Sequence, residues 1–148
     1  YGPHGTWDGG REKAPAAVCR KVIQAKLSGK MEIEIWGDGH QTRSFMYIDD
    51  CLKGTQMLMH SDVIEPLNLG SNELVSINQL VDIVEGIAGV KRKRSYNLNA
   101  PKGVAGRNSD NTLIKEYFGW EPGTRLKDGL AKTYAWIYDE IKRNARSR

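Results

Sequence analysis

The sequence contains no apolar stretch that approaches the roughly 18–20 residues that a membrane-spanning helix needs. It also has no basic segment followed by an apolar one, the pattern of a secretory signal. These two absences predict a cytoplasmic protein that does not bind a membrane.

Cysteine and histidine are scarce, with 2 Cys and 3 His in 148 residues. Cys19 and Cys51 lie far apart and form no Cys-x-x-Cys pair, so we expect no disulfide in a cytoplasmic chain. The histidines at positions 4, 40 and 60 are too scattered for a zinc site, and we expect no bound metal.

Neither sign of charge dominates: 22 Lys and Arg face 18 Asp and Glu, a formal net charge of +4. This small basic excess permits an anionic partner without requiring one. With 39% hydrophobic and 27% charged residues, the composition is that of a globular protein, and 148 residues suit one domain. The chain opens on Tyr1 rather than Met, so we expect it to be part of a longer protein.

Hydrophobic periodicity predicts helices and strands in alternation, which indicates the α/β or α+β class. The predicted helices start at Pro15, at Asp49 or Asp50, after Ser76, at Asn111 and near Leu126. The predicted strands cover residues 32–36, 41–48, 66–70 and 91–98.

Three short segments are candidates for a site. Arg43 follows a Gly-Asp-Gly turn at the start of a predicted strand, where its planar guanidinium can bind a phosphate through two contacts. A plain β-hairpin with a surface arginine explains the same pattern. Arg107 lies in a loop with nearby glycines, which let a bulky anion approach the backbone, although an ordinary turn explains this loop equally.

Glu12 and Lys13 directly precede a helix N-terminus. The positive end of a helix lowers the pKa of a lysine, and such a lysine can move protons. The alternative is a solvated pair at the start of a helix. The basic run at residues 91–94 suggests nucleic-acid binding, but alternate side chains of a strand point to opposite faces and no aromatic residue interrupts the run. We therefore expect no nucleic-acid partner.

Several segments together resemble the extended short-chain dehydrogenase/reductase family of sugar-nucleotide epimerases and dehydratases. They are the opening Tyr-Gly-Pro, the segment 37–50, and the closing pattern from Asp110 through Gly-Trp-x-Pro at 119–122 to Gly-Leu at 129–130. Residues 9–15 (Gly-Gly-Arg-Glu-Lys-Ala-Pro) and 106–115 are most similar to the 3,5-epimerase branch, which acts on GDP-mannose. The resemblance covers essentially the whole chain.

The resemblance implies a fold and a chemistry. The fold is the C-terminal part of a Rossmann-type enzyme with its small substrate-binding subdomain. In this branch NAD oxidises the sugar at C4, which acidifies the C3 and C5 protons, and a Cys and a Lys then invert both centres. Lys13 matches that lysine and is the implied general acid/base, whereas neither Cys19 nor Cys51 matches the cysteine.

The resemblance also assigns contacts with the nucleotide sugar, including a diphosphate contact for Arg107. They fall on Glu12, Lys13, Ala14, Lys21, Gln41, Thr42, Arg43 and Arg107. The family's Gly-x-x-Gly-x-x-Gly loop and Tyr-x-x-x-Lys pair are not in the sequence. Their absence implies that NAD is bound mainly by a part outside this chain and that the chain alone does not turn over. The resemblance further implies that the full-length protein is a homodimer.

Two alternatives stay open. The chain could come from another member of the same family, such as a 4-epimerase, a 4,6-dehydratase or a decarboxylase of nucleotide sugars. In a different class, it could be a non-catalytic basic binding module.

Overall fold

The computed structural model describes residues 1–101 and 103–146, which form an α/β fold. The elements in chain order are α1 (Ala14–Ser28), β1 (Glu32–Trp36), β2 (Thr42–Ser44), α2 (Ile48–Met59), β3 (Leu74–Ser76), α3 (Ile77–Ala88), β4 (Lys93–Asn97), β5 (Gly106–Arg107), α4 (Thr112–Phe118) and α5 (Leu126–Arg146). No helix within the described ranges has the length and apolar character needed to cross a membrane.

The strands form two small sheets. β1 and β4 pair in parallel, with Glu32 opposite Lys93 and Trp36 opposite Asn97. In the second sheet β2 is central, antiparallel to β3 and parallel to β5. Parallel pairing of β1 with β4 is possible because β2, α2, β3 and α3 intervene in the chain and supply a long crossover.

The core lies where α1, α3 and α5 pack against one another and against β1. Each helix turns an apolar face inward, and the alternation of β1 buries Ile33 and Ile35 while Glu34 stays exposed. The fully buried side chains of the three helices include Val22, Ile23, Leu80, Val81, Leu130 and Ile137. The predicted apolar faces of these helices are therefore confirmed.

Helix ends follow the local signals in the sequence. Gly29, Gly89 and Gly119 end α1, α3 and α4 in the left-handed conformation, which glycine adopts without a Cβ penalty. Ser76 caps α3 as predicted: its hydroxyl accepts a hydrogen bond from Gln79 N at 3.1 Å, and the Gln79 side chain accepts one from Ser76 N at 2.8 Å. This reciprocal pair is a capping box.

Replacing Ser76 with alanine removes one half of this capping box and should lower the free energy of unfolding by about 1 kcal/mol. Urea unfolding measures the change, with Ser95→Ala, at an exposed position on β4, as the matched control. Equal unfolding midpoints for the two variants would show that the cap contributes nothing to stability.

The predicted strand over 41–48 and the β-hairpin are wrong. β2 covers only Thr42–Ser44 and pairs with β3 and β5, whereas β1 pairs with β4 and not with β2. The 46–48 segment instead contacts Tyr1, whose carbonyl accepts a bond from Ile48 N at 2.9 Å. The next helix accordingly starts at Ile48 with Tyr47 as its N-cap, and neither Asp49 nor Asp50 caps it.

The predicted strand over 66–70 is also wrong, because no strand in the described part of the chain lies beside it to form a ladder. Side chains hold this segment instead: Asn111 Nδ2 donates to Gly70 O at 2.7 Å. The two-residue strand β5 lies inside the region predicted as a loop, where it is too short to show a periodicity.

The basic run does not form one continuous basic face, as predicted. Lys91 and Arg94 bind the carboxylates of Asp82 and Glu85 on α3 at distances of 2.6–3.2 Å. These bonds attach β4 and the residues just before it to α3, and they neutralise much of the charge of the run.

Candidate functional site

The second sheet brings two of the predicted site residues together. Arg43 on β2 lies directly opposite Arg107 on β5 in a parallel register. Residues opposite each other in a parallel pair project from the same face, so both side chains reach one open cleft of about 310 Å³. Thr42, also a predicted site residue, is opposite Gly106 in the same ladder.

The remainder of this cleft is uncharged and mostly polar. Its other lining residues are Ser44, Met46, Asn68, Leu69, Gly70, Ser71, Asn108 and Ser109. None of the described lining residues is an Asp or a Glu. Two guanidinium groups in a lining without a carboxylate make a positive potential, and hydroxyl and amide groups add hydrogen-bond donors. We call this site the anion cleft.

One wall of the anion cleft depends on a close backbone approach. A Cβ added at Gly70 would lie 2.7 Å from Ser109 Cβ, so a larger residue cannot occupy this position without a shift. Ser109 donates its hydroxyl to Asn111 Oδ1 at 2.7 Å, and Asn111 in turn donates to the Gly70 carbonyl. Sequence reasoning missed Gly70, Ser71 and Ser109, and the only local signal was the glycine that ends the 66–70 segment.

The two arginines are held differently. Arg43 is half-buried, and its guanidinium donates to its neighbour's carbonyl, Thr42 O, at 2.6 Å and to Val104 O across the cleft edge. Arg107 is exposed, and within residues 1–101 and 103–146 its side chain forms no hydrogen bond or ion pair. Both keep free N–H groups for an anion.

Lys21 and Gln41 form a second group at the carboxyl end of β1. Lys21 Nζ donates to Glu34 O at 2.9 Å and lies 5.7 Å from the centre of the Trp36 ring, while Gln41 Nε2 donates to Trp36 O at 3.0 Å. Burial lowers the pKa of Lys21 below its ordinary value, against the opposing effect of Glu34. A hydrogen bond from Asn97 lowers the pKa of Glu34 in turn.

Glu12, Lys13 and Ala14 form a third group at the start of α1. Glu12 binds Arg20 Nη2 at 2.5 Å and accepts a bond from Gly10 N at 2.8 Å, so both of its oxygens already have partners. Burial alone would raise the pKa of Glu12, but these hydrogen bonds and the Arg20 charge lower it overall. Lys13 is the exposed N-cap of α1, with no side-chain cap bond, and Ala14 packs against the core.

A short connection, residues 29–31, reverses the chain between α1 and β1, and Lys21 on α1 contacts Glu34 and Trp36 near the carboxyl end of β1. Ligands of α/β proteins bind at the carboxyl ends of parallel strands. The lining of the anion cleft nevertheless does not include Glu12, Lys13, Ala14 or Lys21.

The described residues do not fit the phosphates of a dinucleotide. Such a cofactor needs a glycine-rich turn from a strand into a helix. The glycine turn after β1 leads into β2, and the connections from β3 to α3 and from β5 to α4 carry no glycine-rich loop.

Comparison with known proteins gives matches over almost the entire chain. A family described as GDP-mannose 4,6 dehydratase matches residues 8–133. GDP-mannose 3,5-epimerase 1 of Oryza sativa subsp. indica and GDP-mannose 3,5-epimerase of Arabidopsis thaliana are each 50% identical over 143 residues, or 97% of the chain. The chain spans only 36% and 37% of the length of these two relatives.

Solved structures share the fold. UDP-glucose 4-epimerase of Thermotoga maritima, solved with UDP-glucose, superposes with a TM-score of 0.84 at 26% identity. The match covers 95% of this chain and 44% of that enzyme. The predicted α/β class is therefore confirmed, together with the resemblance to sugar-nucleotide epimerases.

Proposed function

The chain belongs to the family described as GDP-mannose 4,6 dehydratase, and from this premise we propose that it is the substrate-binding part of a GDP-mannose 3,5-epimerase. The 50% sequence identity to two enzymes of that name supports a 3,5-epimerase over the other activities of the family. In this proposal the substrate is GDP-mannose, and the product is GDP-L-galactose.

The observation that carries the proposal is the pairing of Arg43 with Arg107 in the anion cleft. A nucleotide sugar presents two adjacent phosphoryl groups, and two guanidinium groups on one face offer each of them a positively charged hydrogen-bonding partner. Thr42 is the first residue of β2 and Gln41 directly precedes it, so both are close in the chain to Arg43, although neither lines the anion cleft, and we assign them contacts with the same ligand.

We assign contacts with the sugar moiety of the ligand to the residues at the start of α1. Lys13 is the proposed acid/base group that exchanges a proton with the hexose ring, and its exposed position at the N-cap leaves the amine accessible. We propose that Ala14 and Lys21 border the same ligand and that Glu12 orients this end of it through Arg20.

NAD would supply reversible removal of a hydride from the sugar, and we propose that it is bound mainly by residues outside this chain, because the described residues lack a dinucleotide cradle. We therefore expect the 148-residue chain to bind the nucleotide sugar but not to turn it over. We also propose that the complete enzyme is a homodimer.

Isothermal titration calorimetry with GDP-mannose, GDP and guanosine tests the proposal. GDP-mannose should bind at least as tightly as GDP, and guanosine at least about tenfold more weakly than GDP, because it lacks the diphosphate that the arginines recognise. Duplex DNA is the comparison for the alternative of a basic binding module. Absence of GDP-mannose binding, or a tighter and salt-dependent affinity for DNA, would contradict the proposal.

A further inference from the structure

The two arginines of the anion cleft differ in freedom, and the difference has a structural cause. The Arg43 guanidinium is fixed by two backbone carbonyls, whereas that of Arg107 projects freely among the described residues. One of the two fixing carbonyls belongs to Val104, a residue distant in sequence. The segment 103–105, which we call the strap, therefore determines how Arg43 is presented.

The strap is itself attached to β2. Thr42 N donates to Ala105 O at 2.9 Å, and the ladder continues with Gly106 opposite Thr42. At its other end, Gly103 adopts a left-handed backbone with φ +66°. A Cβ at this position would lie 3.4 Å from Arg43 Nη2, in van der Waals contact with the guanidinium. A side chain at position 103 would thus strain the left-handed backbone directly before Val104 and touch the guanidinium that the Val104 carbonyl holds.

We propose that Gly103 is a positioning residue, which keeps the Val104 carbonyl where it holds the Arg43 guanidinium ready for the diphosphate. Of the five N–H donors of an arginine, two are used by the carbonyls and three stay available for an anion. A side chain fixed before the ligand arrives loses less conformational freedom on binding. The proposal rests on the proposed function, since it concerns the same ligand.

The alternative is that the Val104 carbonyl, by occupying the Arg43 guanidinium, competes with the phosphate. The two effects predict opposite changes in ligand affinity when the strap is disturbed. If the strap prepares Arg43, its disturbance weakens binding, and if it blocks Arg43, its disturbance tightens binding.

The test compares Gly103→Ala with Gly89→Ala by titration with GDP-mannose. Gly89 is a matched control, because its φ of +65° carries the same backbone strain while an added Cβ would meet nothing within 4 Å. Gly103→Ala should weaken GDP-mannose binding about five- to tenfold, the effect of one lost hydrogen bond. Gly89→Ala should leave the affinity unchanged, and thermal unfolding shows whether both variants are folded.

The same substitution in an Arg43→Ala background separates positioning from a general defect. If Gly103 acts through Arg43, the second substitution adds no further loss, whereas a general defect of the cleft adds its full loss again. Unchanged or tighter binding by folded Gly103→Ala, or an additive loss in the double variant, overturns the proposal.

Titration of the same variants with inorganic pyrophosphate distinguishes failure of the proposed function from failure of the proposed role of Gly103. If the unmodified protein binds pyrophosphate but not GDP-mannose, the proposed function is wrong, while the effect of Gly103 on Arg43 is still decided by the pyrophosphate affinities. If it binds neither, both proposals are wrong.

Discussion

Lys13→Met is expected to abolish the exchange of the C3 and C5 hydrogens of GDP-mannose with solvent deuterium in the complete enzyme. The amine is the group that we assign to proton transfer at the ring, and methionine keeps the length of the side chain without an ionisable group. Positioned acid/base groups accelerate proton transfer by about 10²–10⁴-fold, so a loss of at least about 100-fold should be measured. Deuterium incorporation followed by NMR or mass spectrometry gives the rate.

Lys30→Met is the matched control, because Lys30 is also exposed but lies in the connection after α1, at the opposite end of that helix from Lys13. This variant should exchange at the unmodified rate. Retained exchange in Lys13→Met would remove the acid/base assignment. Failure of the unmodified enzyme to exchange C3 and C5 hydrogens would favour another family activity, such as a 4-epimerase.

Replacing both Arg43 and Arg107 with alanine should weaken GDP-mannose binding more than either single replacement. A hydrogen bond to a charged group contributes about 1.5–3 kcal/mol. Loss of both arginines should therefore weaken GDP-mannose binding by about 100-fold or more, with some departure from additivity because the two groups share one ligand. Titration of Arg43→Ala, Arg107→Ala and the double variant measures the individual and combined effects.

Arg146→Ala controls for the loss of a positive charge, because Arg146 is exposed in the last turn of α5 and is not among the residues lining the anion cleft. Its affinity for GDP-mannose should match that of the unmodified protein. If the double variant of the cleft binds as tightly as this control, the diphosphate does not bind between Arg43 and Arg107.

The helices were predictable because their signals are local. In α3, Ser76 and Gly89 mark the two ends, and Leu80, Val81 and Val84 recur on the face that is buried. All these signals act within one or two turns of the residues they affect. The same holds for β1, where strict alternation predicts the burial of Ile33 and Ile35.

The strands that hold the site were less predictable. The Phe and Tyr residues after Arg43 favour a strand through residue 48, but Phe45 packs on the helical core and Tyr47 is buried at the start of α2. Strand propensity describes a fit to a half-buried surface, so packing against helices overrides it. β5 is stabilised by its partner strand and not by its own residues, and no local signal marks it.

The sequence by itself determined the helices with their ends, the alternation of β1, and the residue types of the site, namely two arginines and a lysine before a helix. Only the tertiary structure decided that Arg43 and Arg107 meet in register and that the strap restrains one of them. It also decided that the residues at the start of α1 lie outside the anion cleft. The physical reason is range: caps and periodicity arise from residues a few positions apart, whereas strand pairing and cleft geometry depend on contacts between distant segments that exist only after the core has packed.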